Sequence, residues 1–114
     1  MWAGRFDVSD PRNVAKLAAA ERIALLAEEA GITVPTLALG FALSHPAVSS
    51  VIIGPRTRAH LDAYLSAAPT VLDEAVLDEL DQIVAPGTTF IERDNGRIPD
   101  ELTPAALRRP RTTD

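Results

Sequence analysis

The 114-residue chain contains one convincing strand-like run, Val48 to Ile53, set between segments with helical patterns. The Val-Ile-Ile end of this run lacks polar–apolar alternation, which predicts a strand buried on both faces, as in a parallel sheet. Such a strand needs a neighbouring strand on each side, and no second strand pattern occurs in the sequence. We therefore expect the chain to belong to a larger α/β core whose other strands it does not supply.

Helical patterns account for most of the remaining sequence. Asp10 and Pro11 fit the N-cap and first residue of one helix, and Gly31 fits its end. The next helix is apolar almost all round, which predicts neighbours on more than one side. The predicted order is a loop over 1–12, helices over 13–30 and 35–45, the strand over 48–53, helices over 57–67 and 74–84, and a tail over 85–114.

The composition excludes several classes of protein. Without cysteine the chain can form neither a disulfide nor a cysteine-based metal site, and His45 and His60 are too far apart in sequence to suggest a metal site. A net charge of −5 and an aromatic content of 4% argue against a nucleic-acid partner. No run approaches the ~18 apolar residues of a membrane span, and no signal-peptide pattern is present. We expect a cytoplasmic protein with no membrane partner.

The corner that follows the strand-like run has the features of an anion site. Gly54 and Pro55 turn the chain, and Thr57 is placed to cap the next helix. The first N–H groups of a helix lack intrahelical partners and lie at the positive end of its dipole, so a phosphate can bind there. Arg56 adds a fork-shaped cation suited to phosphate oxygens. Taken alone, these residues also fit an ordinary strand–helix turn.

Four stretches, in this order and spacing, resemble the C-terminal part of an aldo/keto reductase. They are RFDVSDP at 5–11, ITVPTLALGFALSHPAV at 32–48, VSSVIIGPRT at 48–57 and LDEAVLDELDQIVAPGTT at 72–89. The first resembles the segment leading into the seventh helix of the family, and the second resembles that helix and its exit. The third is similar to the eighth strand with the cofactor turn, and the fourth to the segment that follows. The likeness covers nearly the whole chain.

The resemblance implies an α/β fold, the C-terminal fragment of a (β/α)8 barrel that is mostly helical in this chain, with an active site at the C-terminal ends of the strands. It also implies carbonyl reduction or alcohol oxidation by hydride transfer, with NADP(H) as the cofactor. In the family, the turn after the eighth strand holds the 2′-phosphate of the cofactor. The matching residues are Gly54, Pro55, Arg56 and Thr57.

Two departures from the family pattern limit what the resemblance carries over. His60 and the pair Ala63-Tyr64 stand where the family often has Gln or Arg and then an acidic-Asn pair, so the contacts to adenosine differ. His60 is retained as a candidate at the cofactor's edge. The family's Asp-Tyr-Lys-His tetrad comes from earlier strands, and neither Tyr64 nor Lys16 matches it. No catalytic residue is assigned, and we expect no turnover by this chain alone.

Three hypotheses about partners follow. If the chain is a barrel piece, we expect weak NADP(H) binding and association with an N-terminal barrel portion or with itself. A non-catalytic interaction module is the first alternative, since exposed strand edges and apolar patches invite pairing. The second is a helix-turn-helix over residues 26–43, with Gly31 at the turn. Its second helix offers leucines and Phe41 rather than the polar side chains that base contacts need, which disfavours DNA binding.

Overall fold

The computed structural model describes residues 3–91, and every regular element in that range is helical. A short 3-10 turn at Ala3–Phe6 precedes four α-helices. These are α1 (Pro11–Glu29), α2 (Val34–Leu43), α3 (Arg58–Ala67) and α4 (Glu74–Ile83). The predicted tail is described only as far as Ile91, whose side chain is buried at 5% exposure, while Thr88 and Thr89 before it are exposed. Residues 92–114 lie outside the described range.

Residues at the N-caps explain where the helices begin. The Asp10 carboxylate accepts the backbone N–H of Arg12 at 3.0 Å, and Pro11 lies in the first turn, which confirms the predicted start of α1. Thr33 caps α2 by accepting a backbone N–H at 3.2 Å, a cap that the sequence interpretation did not identify. Asp73 occupies the N-cap position of α4 without making a side-chain cap hydrogen bond.

A glycine reverses the chain between the first two helices. Gly31 has φ +67°, a left-handed conformation that side chains with a Cβ rarely adopt. The N–H of Gly31 reaches the carbonyl of Glu28 at 3.0 Å and that of Ile32 reaches the carbonyl of Ala27 at 2.9 Å, which closes the helix end.

Among the described residues no single helix is long and apolar enough to cross a bilayer. The α1–α2 pair reaches that length together but is bent by 97°.

The core lies where α1, α2 and α4 meet. Its apolar members are Ala27, Leu37, Leu72, Leu77 and Leu80, flanked by the half-buried Ile23, Leu26, Ile32 and Val76. On α2 the buried face consists of Leu37 and Gly40, and α2 contacts α1 on one side and α3 on another. Because Val34, Phe41 and Leu43 remain exposed, part of the apolar surface of α2 has no cover within residues 3–91.

The N-terminal loop is tied to α1 by one buried amide. Asn13 is 1% exposed, and its Nδ2 donates to the carbonyls of Gly4 at 2.8 Å and Asp7 at 3.0 Å. Its Oδ1 accepts from Lys16 Nζ at 3.2 Å, and the same ammonium lies 4.9 Å from the centroid of the Phe6 ring. Since a buried polar group costs free energy unless it is hydrogen-bonded, these contacts stabilise the attachment of the loop to α1.

The predicted buried strand over 48–53 is wrong. The described chain contains no strand, and Ile52, which the prediction buried on both faces, is 98% exposed. Val48 and Ile53 are also exposed. Residues 49–56 make no backbone hydrogen bond to any other described residue. The physical reason is that a strand forms only when its backbone hydrogen-bonds to a neighbouring strand, and residues 3–91 supply no such neighbour.

Candidate functional site

The turn at 54–57 lies on the surface and connects α3 to residues 49–53, which make no backbone hydrogen bond to other described residues. Gly54, Arg56 and Thr57 are exposed, and Pro55 is half-buried. A Cβ atom built at Gly54 would meet nothing within 4 Å, and Gly54 does not have a positive φ. Neither packing nor backbone conformation therefore requires glycine here. What its missing side chain leaves is open space beside the backbone, which a ligand can approach.

Thr57 organises the N-terminus of α3. It is extended, with φ −136° and ψ 162°, and its Oγ1 accepts the backbone N–H of His60 at 3.2 Å, which confirms the predicted N-cap. The N–H of Leu61 reaches the carbonyl of Thr57 at 3.2 Å and begins the helical ladder. Within residues 3–91 no acceptor faces the N–H groups of Arg58 and Ala59. Two donors at the positive end of the helix dipole are left for an anion.

The two arginines at this corner have different roles. Arg58 Nε donates to Asp62 Oδ1 at 2.9 Å, one turn along α3, so its charge is partly compensated within the helix. Arg56 is exposed and forms no ion pair with the described residues. The sequence interpretation identified Arg56 but did not anticipate the neighbouring pair, although the Arg58-to-Asp62 spacing is the signal that would have found it. Arg56 is the better placed cation for a ligand.

His60 and Tyr64 lie next to each other on α3. Their ring centroids are 6.5 Å apart with the planes tilted by 32°, and His60 is exposed whereas Tyr64 is half-buried. Tyr64 also lines an apolar groove of about 310 Å³ that the sequence interpretation did not identify, because it forms between segments distant in sequence. The groove is bounded by Val34, Pro35, Ala38, Leu39, Val51, Ile52, Ile53, Gly54 and Tyr64.

The remaining candidate polar residues lie outside this corner. Lys16 is on α1 beside Phe6 and Asn13, where it supports the N-terminal loop. His45 Nδ1 accepts the N–H of Ala47 at 3.2 Å, a local contact at the exit of α2. Among the described residues no group of three histidine, cysteine or acidic side chains is arranged to hold a metal ion. Chemically, the corner can bind an anion, with an aromatic pair one turn away.

Comparison with known proteins identifies the family. The model of the aldo/keto reductase family matches residues 4–85, which contain α1 to α4 and the turn at 54–57. No curated protein and no solved structure matches the chain. Membership of this family implies a (β/α)8 barrel fold, of which residues 3–91 show helices and no strand. On a match that extends over more than half of its length, the chain belongs to the aldo/keto reductase family.

Proposed function

We propose that this chain contributes the cofactor-phosphate turn of an oxidoreductase that reduces carbonyls or oxidises alcohols with NADP(H). Membership of the aldo/keto reductase family carries the oxidoreductase class, and the family generally uses NADP(H). The observation that supports the finer assignment is the corner itself. Thr57 caps α3 while the N–H groups of Arg58 and Ala59 have no acceptor in the described chain, and Arg56 stands beside them without a carboxylate partner.

Each residue has a role in this proposal. Gly54 lets the ligand approach the backbone, Pro55 stiffens the turn, and Thr57 orients the first turn of α3. Arg56 supplies a positive charge and a bidentate donor to the 2′-phosphate. His60, one turn into α3, lies at the edge where the adenosine would pass.

The hydride-transfer step itself needs groups that are not assigned to this chain. Hydride addition to a carbonyl leaves an alkoxide, and a positioned acid must protonate it. Neither Tyr64 nor Lys16 is assigned that role. Tyr64 lies beside the His60 ring and lines the apolar groove, and Lys16 lies on α1, where it donates to Asn13. We propose that the acid and the remaining barrel strands come from outside the described residues, and that the chain alone does not turn over.

Binding of a small cofactor fragment tests the proposal directly. Chemical-shift changes are followed during titration with adenosine 2′,5′-bisphosphate, and in parallel with adenosine 5′-monophosphate, which lacks the 2′-phosphate. We expect saturable shifts confined to residues 54–61 with the bisphosphate, with a dissociation constant of about 1 mM or weaker, and smaller shifts with the monophosphate. Arg56→Gln should weaken bisphosphate binding about tenfold, because one charge-assisted hydrogen bond to the phosphate contributes about 1.5 kcal/mol.

The matched control is Arg22→Gln, which removes the same charge from an exposed position on α1. It should leave bisphosphate binding unchanged. Equal weakening by both substitutions would mean that only net charge matters, and equal shifts with the two nucleotides would mean that the 2′-phosphate is not recognised. Either result contradicts the assignment of the turn.

One observation fits the interaction-module alternative as well as the barrel-piece interpretation. Residues 49–56 lack backbone partners among the described residues, and Ile52 is almost fully exposed. The same observation is compatible with a cofactor turn, since both a barrel piece and an interaction module require a partner strand for this segment. The helix-turn-helix alternative gains no support, because the exposed large side chains of α2 are apolar.

A further inference from the structure

We propose that His60 holds the base of the cofactor by stacking, with Tyr64 as a positioning residue, so that the site recognises the 2′-phosphate but tolerates different bases. This inference rests on the proposed function, because it concerns the nucleotide whose phosphate the turn at 54–57 would bind. It starts from the order of groups along α3. Anion-binding groups lie at the N-terminus of the helix and two aromatic rings follow, which suits a phosphorylated ligand with a planar ring.

His60 lies within one turn of the proposed phosphate site. Side chains on a helix lean towards its N-terminus, so the imidazole covers the turn before its own Cα, on the side of Thr57. One helical turn rises about 5.4 Å, a distance that a ribose can span between its 2′-phosphate and its base. The imidazole is exposed, so a base can reach it without displacing a core residue.

Tyr64 supports the imidazole from the C-terminal side. Residues four apart share a face of a helix, and the two ring centroids are 6.5 Å apart. Tyr64 is half-buried and lines the apolar groove together with Gly54, so packing restricts its ring more than it restricts the exposed ring of His60. The structure shows no hydrogen bond from either ring to another residue of the range 3–91. Tyr64 therefore acts on His60 through its ring, which phenylalanine would preserve.

The polar side chains that follow on α3 are engaged within the helix, which is why we infer tolerance of the base. Reading the edge of a base takes donors and acceptors placed against it, whereas stacking uses the π face that every base has. Asp62, the only carboxylate of α3, accepts from Arg58 Nε at 2.9 Å. Ser66 Oγ donates to the backbone carbonyl of Asp62 at 2.8 Å. Ala63, beside Tyr64, has no polar side-chain group, so α3 offers the base a ring rather than a hydrogen-bonding edge.

Binding of nucleoside 2′-monophosphates to the full chain tests this inference, with ribose 5-phosphate as the base-free sugar phosphate. We expect the adenosine and guanosine compounds to bind within about threefold of each other, and each at least about fivefold more tightly than ribose 5-phosphate. His60→Phe should keep this advantage and His60→Gln should remove it, because glutamine can hydrogen-bond but cannot stack. The position is exposed, so both variants should fold.

The positioning role has its own pair of variants. Tyr64→Leu should reduce the advantage of the nucleotides over ribose 5-phosphate, and Tyr64→Phe should retain it. Leu65→Gln changes an exposed residue of α3 that belongs to neither ring and should leave all the affinities unchanged. Equal losses in Leu65→Gln and His60→Gln, or a larger loss in Tyr64→Phe than in Tyr64→Leu, would overturn the assigned roles.

Failure of this inference can be told apart from failure of the proposed function. Nucleotides that bind no better than ribose 5-phosphate, a preference of about tenfold or more for one base, or a full advantage in His60→Gln would overturn the inference and leave the phosphate turn in place. Adenosine and guanosine that bind as tightly as their 2′-monophosphates would contradict the proposed function, because the phosphate would then contribute nothing. The two His60 variants would in that case decide the stacking on the nucleosides themselves.

Discussion

Gly40 on α2 lies so close to Leu72 that a Cβ atom at position 40 would stand 2.7 Å from the Leu72 Cγ. Leu72 belongs to the same buried core as Leu37 and Leu77, and the absence of a side chain at Gly40 leaves the space that the leucine occupies. The contact therefore depends on steric complementarity between α2 and the loop that precedes α4.

Replacing this glycine should destabilise the fold although alanine is the better helix former. We expect Gly40→Ala to lower the free energy of unfolding by up to about 2 kcal/mol, because an overpacking cost of about 1–3 kcal/mol is only partly offset by a gain of about 1 kcal/mol in helix propensity. Urea denaturation measures the change. Gly4→Ala is the control, since nothing lies within 4 Å of that position. If the clash is the cause, Gly40→Ala should cost less in a Leu72→Ala background than in the wild type.

Loss of the Asn13 side-chain amide should destabilise the N-terminal loop more than the rest of the fold. Asn13→Ala leaves the carbonyls of Gly4 and Asp7 without their donor, which should cost about 1–3 kcal/mol. Hydrogen exchange should show the loss concentrated at residues 4–10. Lys16→Met removes only the contacts at the edge of this cluster and should have a smaller effect. Equal protection of the loop in Asn13→Ala and wild type would show that other contacts hold it.

The two threonine caps allow a matched comparison. Thr33→Ala and Thr57→Ala each remove a 3.2 Å cap hydrogen bond and should each lower stability by about 1 kcal/mol. Only Thr57→Ala should also weaken binding of adenosine 2′,5′-bisphosphate, because Thr33 caps α2 rather than the helix at the proposed phosphate turn. Thermal unfolding and the nucleotide titration measure the two effects separately. Loss of binding in both variants would point to general destabilisation instead.

Asp7 should make the N-terminal loop sensitive to acid. The backbone N–H of Ser9 donates to its carboxylate at 2.9 Å, and this hydrogen bond lowers the pKa of Asp7 from its usual 3.8. Since the pKa is lower in the folded state, the stabilisation is present above pH 3.8 and is lost as the pH falls through the folded value. The difference in unfolding midpoint between wild type and Asp7→Ala should be constant from pH 5 to 8 and shrink below about pH 4. A difference that does not change with pH would exclude this contribution.

Local signals in the sequence predicted the ends of the helices well. Asp10, Gly31 and Thr57 act within four or five residues of themselves, so their roles follow from residue type and position. The sequence interpretation began α2 at Pro35 and therefore did not identify Thr33 as its N-cap. A threonine before an apolar run is an equally good signal for a helix start.

Contacts between distant residues could not be predicted in the same way. The apolar run at 48–53 indicates a strand only if a partner exists, and no sequence pattern tells whether the partner is supplied. The role of Asn13 has no signal in the sequence, because its partners are backbone carbonyls in an aperiodic loop. For the candidate site, residue types predicted the Thr57 cap and singled out Arg56, while the groove beside Tyr64 required the arrangement of α2 and α3.

The ion pair between Arg58 and Asp62 separates two tasks that one arginine would otherwise share. Arg58 fastens α3 to itself, whereas Arg56 sits just outside the helix with no structural duty among the described residues. Selection or an engineer can therefore exchange position 56 for lysine, glutamine or an acid and alter the charge of the proposed anion site without loosening α3.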